Sequence, residues 1–346
     1  MKVLLQLRRR SRVLLCLLSL CAAHDGFASQ KLKIGLVLDK GGKDDKSFNS
    51  SAYLGAMKAK DELQSFVKYV EATDDNAFDA LLRSFAQKKT FDLIISIGVS
   101  QVDALRKVAA LFPQQNFAIV DGEVAAPNVR SMVFQEHEGS YLVGAIAGLT
   151  SKADRSGMVK IGFIGGMDIP QIRRFEMGYI AGAEAEGKRL KRKIKVISNY
   201  IGITGDAWNN PAKAKELAMS QFDSGAEVIF SASGASNAGL FDAAEEKKKF
   251  AIGVDSNQDW IKPGTILTSM VKRIDEVVYQ TCKDLADGKF KTGVFHFGLA
   301  DKGVDYTVDD YNRALLSPAV IQRIEALKQE IIAGKVKVPD YYQTRK

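Results

Sequence analysis

The chain holds 346 residues, 46% hydrophobic and 26% charged, with a formal net charge of +8, three cysteines and three histidines. The apolar share excludes an intrinsically disordered chain, and the length suits two domains. So few cysteines and histidines exclude a disulfide-rich scaffold and a histidine metal cluster, and no cofactor is expected.

In chain order, MKVLLQLRRRSRVLLCLLSLCAAHDGFASQK opens with a basic run (Lys2, Arg8, Arg9, Arg10, Arg12), followed by an apolar stretch from Val13 to Ala23. This is the pattern of an export signal: the stretch is about half the roughly 20 residues of a membrane-spanning helix. Two endings stay open. Gly26-Phe27-Ala28 places small residues where a signal peptidase reads, giving a signal over 1–28 and a mature chain of 318 residues. Leu18-Ser19-Leu20-Cys21 is similar to a lipobox, which would anchor the protein through a lipid on Cys21, although Leu20 stands where a small residue is preferred. Removing residues 1–28 takes away five basic residues and one acidic, so the charge falls to +4. Cleavage there also leaves Cys282 as the one remaining cysteine, expected to be a buried helical thiol rather than a nucleophile.

Beyond the leader, aliphatic runs predict buried parallel strands at residues 33–39, 92–98, 117–122, 159–166, 226–233 and 250–255. Helical apolar spacing falls between them, at residues 50–63, 78–87, 102–111, 173–189, 211–224 and 238–248. The pattern is repeated βα, an α/β fold. The strands end in Asp39, Gly98, Asp121, Gly165, Ser233 and Asp255. In open α/β sheets ligands sit beyond the carboxyl ends of the strands, so two facing sheets would form a cleft from these residues. Each half reads as opening with a strand, a Gly-Gly turn and a helix. The glycines Gly162, Gly165 and Gly166 make only an incomplete dinucleotide fingerprint, which a tight strand-to-helix turn explains. KRLKRKIK (188–195) reads as a solvated helix end running into a strand rather than a phosphate-contacting patch, so no nucleic-acid partner is expected.

The segment from Gly41 to Asn49 follows the first strand and precedes a helix. Its glycines permit a tight turn, and Asp45 or Ser47 can cap the helix. A capping turn leaves Phe48 unexplained, an aromatic that can stack on a planar ligand at a cleft edge. Trp208, in GDAWNNPAKAKELA, reads equally as a helix-entry residue packing on its own domain or as a second stacking face.

Four stretches in order, GGKDDKSFNSSAYLG, VFQEHEGSYLVGAIAG, KIGFIGGMDIPQIRRFEMGYIAG and AIGVDSNQDWIKPGTILTSMVKR, resemble the basic membrane protein family. Its members are nucleoside-binding lipoproteins of ABC transporters, similar to the treponemal purine nucleoside receptor. The similarity runs from about Lys33 to about Gly298. It implies a type I periplasmic binding protein, two Rossmann-like lobes joined by hinge crossovers. By that resemblance Phe48, flanked by Asp45 and Asn49, covers one face of the base and Trp208 the other, where many relatives carry Phe. Asp121 resembles the carboxylate that bonds the base. Asp255 and Lys272 resemble the pair that holds the ribose hydroxyls, and Gly234 a glycine that lets backbone approach the sugar. A strand-end cap for Asp121 and an interlobe salt bridge for Asp255 and Lys272 are the plainer alternatives.

The implied partners are a purine nucleoside and an ABC permease, with the binder exported, monomeric, and either periplasmic or lipid-anchored. The expected lobes are 29–134 with 269–292, and 135–268 with 293–346. A nucleoside-acting enzyme is disfavoured because Asp44 and Asp45 are adjacent in a turn and no triad is visible. A regulator on the same fold would need a helix-turn-helix where the leader stands. A surface adhesin, or a binder of another small ligand such as a sugar, remains the alternative.

Overall fold

The computed structural model describes residues 31–74 and 76–344; the leader, with Cys16, Cys21 and the candidate cleavage site at Ala28, lies outside the described residues. The chain starts as β1 (Lys33–Leu38), α1 (Phe48–Glu62), β2 (Phe66–Glu71), α2 (Ala77–Gln87), β3 (Leu93–Ile97), α3 (Val102–Leu111), β4 (Asn116–Val120) and β5 (Val129–Phe134). It continues as α4 (Glu136–Thr150), β6 (Met158–Met167), α5 (Pro170–Arg189), β7 (Lys193–Gly202), α6 (Pro211–Asp223), β8 (Val228–Ala232), α7 (Asn237–Lys247), β9 (Phe250–Asp255) and β10 (Ile266–Lys272). Last come α8 (Ile274–Ala286), β11 (Gly293–Phe297), β12 (Val304–Tyr306) and α9 (Pro318–Ile332).

Two six-stranded sheets result, ordered β11-β5-β4-β3-β1-β2 and β12-β10-β9-β8-β6-β7. Every pairing is parallel except β10 with β12. The six strands expected from aliphatic runs form β1, β3, β4, β6, β8 and β9. Strands at or near the edges carry no such signal. β2 (FVKYVE) is half exposed, and β7 interleaves Lys193 and Lys195 with Ile194 and Val196. The basic run at 188–195 is a helix end followed by this strand.

Three details differ from the sequence reading. The chain passes between sheets at Gln135, at Arg273 and after Phe297, so residues 269–272 belong to the second lobe and 293–297 to the first. The reason is pairing: buried β10 extends the second sheet beside β9, while GVFHF pairs in parallel with β5. Second, Gly162, Gly165 and Gly166 are inside β6, not in a turn. They make room for side chains, since a Cβ at each would stand within 2.6 Å of Gln221, Ile172 and Trp208 respectively. Third, EHEGSYLVGAIAGLT is a nearly all-buried helix, α4, without the polar face that usually marks one. It packs on α5 with backbones almost touching: a Cβ on Gly144 would lie 2.0 Å from the Tyr179 carbonyl, and one on Gly182 1.9 Å from that of Tyr141.

Candidate functional site

The carboxyl ends of β1, β3, β4, β8, β9 and β10 face one cavity of about 560 Å3, counting the space that opens to solvent. Asp45, Phe48, Asn49, Asp121, Trp208, Gly234, Asp255 and Lys272 all line it. The first four stand on the first lobe and the rest on the second, so the cavity lies between the lobes.

Phe48 is the first residue of α1, reached through the turn that Gly41 (φ 107°) and Gly42 (φ 69°) allow. Trp208 sits in a short 3-10 turn, Gly205–Asn209, ahead of α6. Its six-membered ring covers Gly166 so closely that a Cβ there would meet Cζ3 at 2.1 Å. Gly234 has φ 62°, and a Cβ on it would stand 3.3 Å from the Trp208 carbonyl. Both features of Gly234 call for glycine at the rim.

The polar residues divide into two sets. Asp45 is spent on the turn: Oδ1 accepts from the amides of Ser47 (2.8 Å) and Ser50 (2.9 Å), and Oδ2 from the amide and Nδ2 of Asn49 (2.8 and 3.0 Å). Asn49 in turn accepts the Asp39 amide at 2.8 Å. These two fix the loop that presents Phe48. Asp121 and Asp255 instead end β4 and β9 in the left-handed region (φ 63° and 65°), which costs about 1–3 kcal/mol each and concentrates at functional sites. Asp255 accepts the Ser47 hydroxyl at 2.6 Å. Asp121 Oδ2 accepts from the Lys272 ammonium and from Gln171 Nε2 at 2.5 Å, while Oδ1 is buried with no partner among the described residues. Lys272 also donates to Glu136 at 3.3 Å and lies 5.1–5.5 Å from the ring centres of Phe48, Phe134 and Phe175. An interlobe salt bridge is present, then, but it joins Lys272 to Asp121.

Burial governs the charges. It pushes the Asp255 carboxyl up to about 6, against the pull of Lys272 and Ser47. Asp121 is likewise raised, chiefly by burial and partly offset by Lys272. For Lys272 burial acts to lower the value, but Asp121, Glu136 and Asp255 together outweigh it and hold the ammonium protonated. An ammonium caged by carboxylates and aromatic faces is a directional donor beside acceptors, suited to neutral polar ligands.

The structure adds cavity residues that no strand-end or motif argument singled out, among them Lys40, Gln171, Ile172 and Phe175. Gln171 and Phe175 are four apart near the start of α5, hence on one helix face. That spacing, in the quoted stretch DIPQIRRF, was the available signal. Lys40 reaches Asp206 across the cleft at 2.9 Å.

Residues 31–341 match the family model of PnrA-like ABC transporter substrate-binding proteins. The ABC transporter nucleoside-binding protein BmpA of Lactococcus lactis is 32% identical, covering 92% of this chain and 93% of the relative. An uncharacterized lipoprotein of Pyrococcus abyssi is 34% identical over 80% of this chain and 69% of its own. Among solved structures, an ABC transporter solute-binding protein from Aeropyrum pernix superposes with a TM-score of 0.82 at 27% identity, covering 89% and 94% of the two chains. No helix among the described residues is long and apolar enough to cross a membrane, and with lipoproteins and solute-binding proteins as relatives the chain is an exported one. The family match over residues 31–341, on a fold with an interlobe cavity built from strand ends, makes this protein a member of the PnrA-like (Bmp) family of ABC transporter substrate-binding proteins, which bind ligands and are not enzymes.

Proposed function

We propose that this protein captures nucleosides, purine nucleosides foremost, and delivers them to an ABC permease. The observation that carries the reading is that two aromatic residues from opposite lobes, Phe48 and Trp208, line the same cavity as the unpartnered Asp121 Oδ1 and the buried Asp255. A planar base stacks between the rings, an N–H of the base donates to Asp121, and the ribose hydroxyls donate to Asp255 beside Lys272. Gly234 borders the sugar, and Asp45 with Asn49 holds Phe48 in place. Stacking is worth roughly 1–3 kcal/mol per face and each charge-assisted hydrogen bond roughly 1.5–3, so two of each give on the order of 5–12 kcal/mol gross. Micromolar affinity needs about 8. Asp39, Asp45, Asp121 and Asp255 outnumber Lys40 and Lys272 around the cavity, which disfavours a phosphate and so a nucleotide. Ligand bridging the lobes shifts a monomeric binder to its closed form about the crossovers at Gln135, Arg273 and Phe297, with a lipid on Cys21 as the anchor if the leader is processed there.

The test is calorimetric titration of ligand-stripped residues 29–346 with inosine, guanosine, adenosine, cytidine and uridine, and with ribose and hypoxanthine as fragments. Tight nucleoside binding that collapses in Asp255→Ala and Trp208→Ala is the expected result. No heat with any nucleoside would sink the assignment.

A further inference from the structure

Behind the cavity a row of buried charges runs to the far end of the chain. Asp121 receives Lys272, whose ammonium also donates to Glu136 Oε1 at 3.3 Å. Glu136 Oε2 accepts Arg174 Nη1 at 3.0 Å. Arg174 Nε and Nη2 then hold both oxygens of Asp340, at 2.8 and 2.9 Å. All five residues are at most 9% exposed. Signs alternate along the row, negative at both ends. Arg174 is also tied to the first crossover, donating to the Phe134 carbonyl at 2.5 Å and to Gln135 Oε1 at 2.6 Å. Asp340 belongs to the segment after α9, and Tyr342 lays its ring 5.0 Å from the Arg174 guanidinium. A second cavity, bordered by Glu136, Arg174, Asp340 and Tyr342, shares Asp121 and Gln171 with the first, so this terminal segment closes off the back of the site.

We propose that Asp340 is a positioning residue for ligand binding: through Arg174 and Glu136 it sets how the Lys272 ammonium is divided between Glu136 and Asp121. The proposal rests on the nucleoside reading for its ligand, though not for its mechanics. Glu136 has both oxygens committed, one to each cation. With the Asp340 charge removed, Arg174 keeps one carboxylate partner and draws Glu136 toward itself. Lys272 then rests on Asp121 alone, and the tightened ion pair at Oδ2 weakens the carboxylate as an acceptor for ligand at Oδ1. Arginine at the middle of the row fits this role, because its fork can grip two carboxylates in fixed geometry while lysine cannot.

The test uses the full mature chain with Asp340→Asn, Asp340→Glu and Arg174→Lys, each in a Trp260→Phe background that leaves Trp208 as the sole tryptophan. Inosine affinity is measured by calorimetry, global stability by urea unfolding, and the cavity by ligand-free Trp208 emission. Asp340→Asn is expected to weaken binding about tenfold, a usual size for coupling within a charge network, and to shift the Trp208 emission. Asp340→Glu should restore affinity to within twofold. Arg174→Lys carries the same test should the asparagine variant not fold. Unchanged affinity in Asp340→Asn overturns the proposal, as does equal weakening in the asparagine and glutamate variants in step with lost stability. If the parent chain binds no nucleoside, the ligand reading fails separately. The relay is then judged on Trp208 emission: a shift in Asp340→Asn alone supports it, and no shift in any variant refutes it.

Discussion

Gly166 gives the sharpest test of how the stacking face is held. Replacing it with alanine places a methyl 2.1 Å from Cζ3 and 2.5 Å from Cε3 of Trp208, where carbon atoms rest about 3.5–4.0 Å apart. The indole must therefore retreat by more than an ångström. Gly166 has an ordinary strand φ, so alanine adds no backbone strain, and the obstacle is a side chain in a surface turn rather than packed backbone. The displaced ring forfeits most of one stacking face, roughly 1–3 kcal/mol, or about 5- to 150-fold in affinity at 1.4 kcal/mol per decade. Calorimetry with a purine nucleoside measures the loss, and a thermal melt checks the fold. Gly157→Ala is the matched control, because nothing lies within 4 Å of its Cβ direction, although its φ of 80° adds local strain. Nucleoside affinity within twofold of the parent, with an unchanged melt, would refute the claim that Trp208 forms the ligand's second face.

Three further outcomes follow from the geometry. Since burial raises Asp255 to about 6, and hydroxyls donate more strongly to a carboxylate than to the neutral acid, nucleoside affinity should be flat above that pH and fall below it; a pH series of titrations reads this, and an unchanged Kd at pH 5 contradicts the ribose role. The same raised carboxyl works in the opposite sense on the ligand-free fold: its stabilising contribution is complete below the unfolded value near 4 and is lost as pH rises through about 6, which urea midpoints across that window would show. At the α4–α5 contact, Gly182→Val sets a side chain 1.9 Å from the Tyr141 carbonyl and should cost at least about 1–3 kcal/mol by overpacking, with a normal urea midpoint as the contrary result.

The repeated βα grammar is legible without any structure. β1, β3, β4, β6, β8 and β9 are largely buried on both faces, so apolar residues dominate them and the strands are visible without a partner. The sequence also placed Asp121 and Asp255 at strand ends, and motif resemblance added Phe48, Trp208, Gly234 and Lys272, all of which line one cavity. Other features depend on neighbours distant in the chain and emerge on folding. The exchange of β10 and β11 between lobes is fixed by pairing with β9 and β5, and short segments carry no record of their partners. The glycines of β6 looked like a turn because a sequence shows a missing side chain but not the Trp208 ring that fills its place, 42 residues further on. Likewise Lys272 and Asp121 meet across 151 residues, and Asp340 and Arg174 across 166. Ion pairs of that span arise where two sheets close on each other, and no local pattern of hydrophobicity or spacing encodes them.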